Sequence, residues 1–390
     1  MTMSGLATTT VGIDLRSEAD SWFADVCGLS TIVRLLCALQ HAGASSVVIV
    51  GEQASKAADA FKKHPLARRA GDRALVPQCV SEFPEESDLL FRNPVVLSSA
   101  TIKALVAANI TEVPDALPDG LPGFLVPAKS ADERRVATNA VLGSVGKPML
   151  NSGIASVYLL QPIAKILNRP LSHTPITPNQ VTILGFLLGL ASLPLLWNGG
   201  RSEVLLAVSL LLVANVLDQI DGQLARIKFL FSSYGEKLDH YLDEIIKVLL
   251  LAPIGVGLAH STGHEAWIYI GWVASSAQLF YTVAMFYYLW RFGGKDASST
   301  NFKFWYSLKP RSSEPAPAPA PENPNAFKRR FLLRKDFAHT MLFAFGAANF
   351  IEAPFMLIVS GAVLYGSISL VQLVFFHRKV GIAGDYYGGV

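Results

Sequence analysis

Four long runs without a charged residue constrain most strongly how this chain of 390 residues can fold. The runs are Thr174–Gly200, Val204–Leu217, Ala266–Trp290 and Ala353–Phe376. A helix needs about 20 residues to cross the hydrocarbon core of a bilayer, and three of the runs reach that length alone. The second run continues into the acidic segment that follows it. Buried helices of a soluble protein do not usually give so many uncharged runs with such short connections, so we predict membrane spans.

Two further spans complete a predicted membrane domain of six helices within residues 174–380. One fits Ile245–Ala259, extended backward through Asp239 and Asp243, and a shorter one fits Phe337–Ile351. The predicted fold class is therefore an α-helical integral membrane protein, preceded by a soluble domain.

Lysine and arginine are unevenly distributed between the two sides of these spans. The connections on one side contain a single basic residue, Arg201, whereas many basic residues lie on the other side. Cationic loops remain on the cytoplasmic side, so we expect both termini in the cytosol and the spans in the inner cell membrane. The first residues lack a basic stretch followed by an apolar core, so no secretory signal peptide is predicted.

Residues 1–148 have the composition of a soluble protein and predict an α/β domain. Val47–Val50 and Val95–Leu97 are short runs rich in β-branched residues. Between Leu29 and Ala42 the apolar residues recur on one helical face, and the pattern stops at Gly43. Strands that alternate with helices favour an α/β fold.

Three shorter segments complete the predicted organisation. Residues 149–173 predict an amphipathic helix that lies in the membrane interface and is kinked at Pro162. Residues 314–325, EPAPAPAPENPN, predict an extended linker between spans four and five. Residues 381–390 form a tail.

Charge and cysteine content exclude several classes of protein. The net charge of +3 is too small for the whole chain to bind a polyanion, so nucleic acid is not an expected partner. The three cysteines, Cys27, Cys37 and Cys79, form no C-x-x-C pair and have no histidine cluster beside them. They predict reduced thiols rather than disulfides or a zinc site.

Four aspartates between spans two and three carry the most informative chemistry. Asp218 and Asp221 lie three residues apart and Asp239 and Asp243 lie four apart, so on helices each pair shares a face. Each ionised carboxylate costs about 2.5–3.5 kcal/mol to place in hydrocarbon, and the four repel one another. A cation must therefore lie between them, and hard oxygen ligands favour Mg²⁺ or Mn²⁺.

Small residues beside the aspartates indicate space for a substrate. Gly222, Ala225 and Gly235 lack bulk, and Arg226 can pair with a phosphate oxygen. A simpler interpretation is that the carboxylates form salt bridges at a solvated helix end, which does not explain the small residues. The partners in that case would be Arg226, Lys228, Lys237 and Lys247.

The pattern D-x2-D-G-x2-A-R-x8-G-x3-D-x3-D resembles the signature of the CDP-alcohol phosphotransferases at every position, and the preceding TPITPNQVT is also similar. The resemblance covers residues 150–380 and implies a homodimer. It implies that four aspartates bind a divalent metal that holds the CDP diphosphate, and that Asp243 is the base that deprotonates the acceptor. The implied metal ligands are Asp218, Asp221, Asp239 and Asp243, and the implied CDP-binding residues are Gly222, Ala225, Arg226 and Gly235.

The resemblance therefore implies a metal-dependent transfer of a phosphatidyl or phosphoalcohol group from a CDP-alcohol lipid, CDP-diacylglycerol above all, to a small polar alcohol. CMP is released and a phospholipid is made. The acceptor stays open between inositol phosphate or another polyol phosphate, glycerol phosphate, serine and an amino alcohol. Two other classes are a catalytically silent membrane scaffold and a transporter that uses the carboxylates as cation or proton sites.

A cluster of basic residues is the candidate acceptor site. It could bind an anionic acceptor, although ordinary cytosolic basic residues explain it better. Its members are Arg291, Lys328, Arg329 and Arg334.

The segment Gly28–Gly51 resembles the early helix and second strand of nucleotidyltransferases that some CDP-alcohol phosphotransferases carry in front. Those enzymes bind a nucleoside triphosphate with a glycine-rich loop and a Lys-Pro pair. In this chain the corresponding segment is DLRSEADSWFADVC, which has neither the glycines nor the Lys-Pro pair. The later segment PVVLSSATIK lacks the expected metal-binding aspartate. We therefore predict a degenerate, catalytically silent domain.

Overall fold

The computed structural model describes residues 10–69, 75–82, 88–146, 155–292, 302, 304–305 and 335–376. The chain divides into two compact units. The first unit combines Met1–Gly146, Lys165–Thr177 and Gln223–Leu230, and the second combines Lys147–Ala164, Pro178–Gly222 and Phe231–Val390. The domain boundaries of the sequence analysis stay predictions, and the predicted linker and tail lie outside the described residues.

The first unit contains a parallel sheet flanked by helices, which confirms the predicted α/β region. The sheet has the order β5-β4-β1-β6, while β2 pairs with β3 and β7 with β8 in antiparallel fashion. The strands are β1 Val11–Asp14, β2 Asp25–Val26, β3 Leu29–Ser30, β4 Ser46–Val50, β5 Val76–Val80, β6 Leu89–Phe91, β7 Val95–Leu97 and β8 Leu125–Pro127. The helices are α1 Ala19–Phe23, α2 Thr31–Ala42, α3 Ala54–Lys63, α4 Pro65–Arg69, α5 Ser99–Ala107 and α6 Ala131–Ser144.

Helix α2 illustrates how the sequence forms this unit. It begins at Thr31 rather than at Leu29, because Leu29 and Ser30 pair with β2. It ends at Gly43, whose φ of 106° lies in the left-handed region that favours glycine. Its apolar face is buried in the core of the unit. The buried residues of that face are Ile32, Leu35, Leu36 and Leu39.

The first unit also holds segment 223–230, which contains the end of a long helix and the loop after it. Arg34 is only 3% exposed and donates hydrogen bonds to the carbonyl oxygens of Val26, Cys27 and Ile227. The Nε2 atom of His64 lies 3.0 Å from the carbonyl oxygen of Lys228. These contacts satisfy backbone carbonyls that the helix itself leaves without partners.

A helical segment precedes the first predicted span. A π-helical turn, Ser156–Leu160, is followed by α7, Gln161–Leu171. The π-helical turn ends just before Pro162, the position of the predicted kink. Tyr158 and Ile166 are 67% and 73% exposed, so apolar side chains lie on the outside of this helix. Such a surface suits a membrane interface, and the interfacial position stays a prediction.

The second unit is built from long apolar helices. They are α8 Pro178–Asn198, α9 Arg201–Ile227, α10 Ser233–Thr262, α11 Ala266–Phe292, α12 Lys335–Ala347 and α13 Glu352–Val371, and a π-helical turn, Gln372–Phe376, continues α13. The final residues of α9, from Gln223 onward, belong to the first unit.

Four of the segments are long and apolar enough to cross a membrane. They are Pro178–Asn198, Arg201–Ile227, Ala266–Arg291 and Glu352–Phe376, which correspond to predicted spans one, two, four and six. By length and composition they characterise an integral membrane protein. Crossing by α10 and by the shorter apolar segment Phe337–Ala347 is not confirmed, so the count of six spans stays a prediction.

Close helix contacts fix the position of α10, which carries two of the candidate site aspartates. A Cβ atom added at Gly255 of α10 would lie 2.9 Å from the Cα atom of Gly271 on α11. Real Cβ atoms do not approach backbone so closely, so the two backbones can meet here only because both residues are glycines. Small residues at helix contacts are typical of membrane proteins.

Candidate active site

Two helices present the predicted aspartates from opposite sides of a short loop. Asp218 and Asp221 lie in the last turns of α9, and Asp239 and Asp243 lie in the first half of α10. Helix α10 begins where it does because the Oγ atom of Ser232 accepts a hydrogen bond from the backbone N–H of Gly235, at 3.1 Å. This cap sets the residue at which α10 begins, before Asp239 and Asp243 on the same helix.

Three of the four aspartates form a cluster. One carboxylate oxygen each from Asp218, Asp239 and Asp243 lie within 4.8 Å of one another. All three residues are partly exposed. The structure therefore brings three of the four predicted carboxylates together.

Asp221 has a different environment from the other three aspartates. It is only 6% exposed, and its Oδ2 atom accepts a hydrogen bond of 2.6 Å from the hydroxyl of Thr182 on α8. Asp221 still lines the same cavity of about 40 Å³ as the cluster. Thr182 thus orients the fourth carboxylate, a role that the sequence analysis did not identify.

The cavity also contains three further polar residues, of which the sequence analysis named only Lys247, as a possible salt-bridge partner of the aspartates. Asn215 of α9, Lys247 of α10 and His339 of α12 line it together with the aspartates. Polar residues inside predicted spans were the available signal, but their direction depends on how the helices pack. Lys247 forms a close ion pair with Glu244, a buried residue that also accepts a hydrogen bond of 3.1 Å from Thr282.

The residues predicted to contact CDP lie on both units. Gly222 follows Asp221 on α9, and a Cβ atom at Gly235 would lie 2.9 Å from the Oδ1 atom of Asn179, so that position is tightly packed. Ala225 and Arg226 belong to the first unit, where Arg226 Nε donates a 2.8 Å hydrogen bond to the carbonyl oxygen of Val145. Part of the Arg226 guanidinium is thus held by backbone.

The predicted acceptor residues are located only in part. Arg291 lies exposed in the last turn of α11. Lys328, Arg329 and Arg334 lie outside the described residues. The structure therefore does not bring a basic acceptor pocket together among the residues that it describes.

The carboxylate cluster has the chemistry of a site for a hard divalent cation. Three negative oxygens within 4.8 Å repel one another at an apolar boundary, and oxygen ligands of this kind suit Mg²⁺ or Mn²⁺. The donor set therefore fits the metal that the sequence predicts. Asp218, Asp239 and Asp243 are the residues that would hold it.

Carboxylates from two helices thus converge in a unit of long apolar helices. This combination is the one expected of an integral membrane enzyme. The sequence model of the CDP-alcohol phosphatidyltransferase family matches residues 175–308, which include the whole cluster. This part of the chain is therefore similar to that family.

Curated relatives support the family at the level of sequence. A "Bifunctional IPC transferase and DIPP synthase" of Aquifex aeolicus is 32% identical over 119 residues, which are 30% of this chain and 25% of the relative. A protein of the same name from Rubrobacter xylanophilus is 30% identical over 136 residues, 34% of this chain and 30% of the relative. An "Archaetidylinositol phosphate synthase" of Pyrococcus horikoshii is 35% identical over 97 residues, 25% of this chain and 50% of the relative. The chain thus spans between a quarter and half of the length of these relatives.

Proposed function

We propose that this protein transfers a substituted phosphate group from a CDP-alcohol to a second alcohol and releases CMP. The observation that carries the proposal is the convergence of Asp218, Asp239 and Asp243 inside the region that matches the family. Divalent-metal dependence is part of the proposal, as are a homodimer, the inner cell membrane and cytosolic termini.

The chain's own residues would supply positioning and a base. The acceptor oxygen forms a bond to the β-phosphorus of the donor, and the bond from that phosphorus to the oxygen bridging to CMP breaks. Asp243 takes the proton of the acceptor hydroxyl, and CMP leaves with the bridging oxygen. Asp218, Asp239 and Asp243 would hold a divalent cation, which would supply positive charge opposite the diphosphate. Gly222 would leave room for the diphosphate beside Asp221, whereas the missing side chain of Gly235 makes room for Asn179.

For the substrates, we propose CDP-diacylglycerol as donor and inositol phosphate or another polyol phosphate as acceptor. The support for the acceptor is the name of the Pyrococcus relative, an archaetidylinositol phosphate synthase; the donor is carried over from the sequence prediction. Arg291 and the three basic residues outside the described part, Lys328, Arg329 and Arg334, stay candidates for binding the acceptor phosphate.

For the first unit, we propose that it does not catalyse nucleotidyl transfer. Directly after β1, where a nucleotidyltransferase would cradle phosphates, Arg16 pairs with Asp14 at 2.8 Å. This ion pair holds the pKa of the Asp14 carboxyl below its usual range. Full-length protein given CTP and inositol phosphate, without a CDP-alcohol, should release no diphosphate.

The decisive experiment is CMP release by the full chain in lipid nanodiscs. CDP-diacylglycerol would be supplied with a panel of acceptors, with Mg²⁺ and with a chelator. We expect CMP release that requires both an acceptor and the divalent cation. No CMP from any pair would favour a silent scaffold, and cation flux in liposomes without CMP would favour a transporter.

A further inference from the structure

Asn215 is a buried polar residue without a hydrogen-bonding partner. Its side chain is on helix α9, the residue is 1% exposed, and within the described part of the chain neither Nδ2 nor Oδ1 has a hydrogen-bond partner. Burying such an amide without partners costs about 1–3 kcal/mol for each group. An apolar residue of similar size would avoid this cost.

The location of Asn215 connects it to the carboxylate cluster. It lies three residues before Asp218, so the two side chains share a face of α9. Both residues line the cavity that also contains Asp239 and Asp243. The residue that carries the two unpartnered polar atoms thus lines the cavity in which the reaction is proposed to occur.

The chemistry of the amide selects among possible ligands. A metal ion would engage only Oδ1, and a phosphate oxygen would engage only Nδ2, so either would leave one buried atom without a partner. A hydroxyl group both donates and accepts. Two neighbouring hydroxyls can therefore satisfy both atoms of the amide.

We propose that Asn215 binds a pair of neighbouring hydroxyl groups of a substrate and thereby positions it at the carboxylate cluster. The inference rests on the proposed function, which supplies two sources of such a pair. One is a polyol acceptor and the other is the ribose of the CDP donor. Asn215 is then a specificity-determining residue of this chain, in addition to the aspartates.

The test replaces Asn215 with leucine, which has a similar shape and no polar atoms. In nanodiscs, the Asn215→Leu variant should have an unfolding temperature equal to or above that of the wild type. Loss of two neutral hydrogen bonds should raise the KM of the hydroxyl-bearing substrate about 10-fold or more. Half-saturation by Mg²⁺ should not change.

Two donors distinguish the sources of the hydroxyls. If Asn215 binds the ribose, the KM of wild type for dCDP-diacylglycerol should exceed its KM for CDP-diacylglycerol by a similar factor. The Asn215→Leu variant should then have the same KM for both donors. If the acceptor is bound, the KM of the polyol rises in the variant with either donor. Both results support the proposal and assign the substrate.

The matched control is Ser369→Ala on α13. Ser369 is also 1% exposed, its hydroxyl lacks a partner in the described part of the chain, and it does not line the cavity. This variant should keep both KM values. Unchanged KM values in Asn215→Leu, a shift in Mg²⁺ half-saturation alone, or unfolding of the variant would each overturn the inference. Absence of CMP release by the wild type would instead overturn the proposed function.

Discussion

The most prominent polar groups of the two units differ in what they contact. In the α/β unit, Arg34 is buried and donates to three backbone carbonyl oxygens, and Lys228 Nζ donates to those of Thr174 and Ile176. In the helical unit, three carboxylates crowd within 4.8 Å, and Asn215 has no partner in the described chain. These two cations of the α/β unit are bonded to backbone, whereas the carboxylates and Asn215 of the helical unit line a cavity.

This difference separates structural from functional polar residues. A buried group whose hydrogen bonds are satisfied by the protein stabilises the fold, because removing it leaves its partners unsatisfied. A group that the protein leaves unsatisfied costs stability, and where it also lines a cavity a ligand can supply the missing partner. We therefore expect substitutions in the α/β unit to affect stability and substitutions at the cavity to affect activity.

The largest effect is expected from Asp243→Asn. Loss of the proposed base should lower kcat by about 10²–10⁴-fold, because a positioned general base contributes that much. The unfolding temperature should not fall, since the substitution removes one of several repelling charges. CMP release and thermal unfolding in nanodiscs would measure both quantities.

The control for that variant is Glu236→Gln, on the exposed first turn of the same helix. It removes a carboxylate that does not line the cavity and should leave kcat within about 2-fold, as is usual for a surface site. Full CMP release by Asp243→Asn would refute its role as the base.

Arg34→Met, in contrast to Asp243→Asn, is expected to lower the stability of the protein. Three carbonyl oxygens lose a charged donor in a buried place, so unfolding of the α/β unit should become easier by about 3 kcal/mol. Hydrogen exchange of residues 31–42 and 223–230 in the full chain would measure the loss. An Arg34→Lys control keeps the positive charge but not the planar guanidinium with its several donors, so it should recover only part of the lost stability. Unchanged exchange in Arg34→Met would show that the carbonyls find other partners.

A smaller effect is expected where helices α10 and α11 meet. Gly255→Leu forces the backbones apart at Gly271 and should destabilise the helical unit by about 1–3 kcal/mol, a typical cost of overpacking. Because α10 carries Asp239 and Asp243, CMP release should fall as well. Gly143→Ala, which has open space around it, is the control. Equal thermal stability of Gly255→Leu and wild type would contradict the close contact.

The sequence predicted the parts of the site that depend on spacing along one helix. The phases of Asp218, Asp239 and Asp243 follow from helical periodicity, and the loop and its cap set the relation between the two helices. The contact of Thr182 with Asp221 was not predictable in the same way. It depends on how α8 packs against α9, which no local pattern in the sequence encodes.

The elements of the fold likewise divide into those that local sequence determines and those that depend on tertiary contacts. The strands β4 and β7 and the end of α2 at Gly43 were predictable, because residue type and period determine them locally. The start of α2 was displaced to Thr31 by pairing of Leu29 and Ser30 with β2. The inclusion of segment 223–230 in the α/β unit depends on tertiary contacts such as that of Arg34 with Ile227.

The smallest effect is expected from protonation of His64. Burial, above all, holds the pKa of His64 below its usual value of 6.5, and the charges of Arg34 and Arg69 act in the same direction. Its Nδ1 atom accepts from the backbone N–H of Leu66 at 3.2 Å, so its Nε2–H donates to Lys228. The folded state therefore favours neutral His64, while the unfolded state takes up a proton below about pH 6.5.

Stability of the α/β unit should consequently be full above pH 6.5 and decrease as the pH falls below it. Hydrogen exchange of residues 223–230 at pH 7.5 and pH 5.5, corrected for the intrinsic exchange rate, would measure the decrease. In His64→Gln, whose amide can still donate to Lys228 but does not titrate, the decrease should be smaller. His41→Gln is the control, because burial also lowers the pKa of His41, which lies on α2 outside this segment. An equal decrease in wild type and His64→Gln would show that protonation of other groups controls the acid sensitivity of this segment.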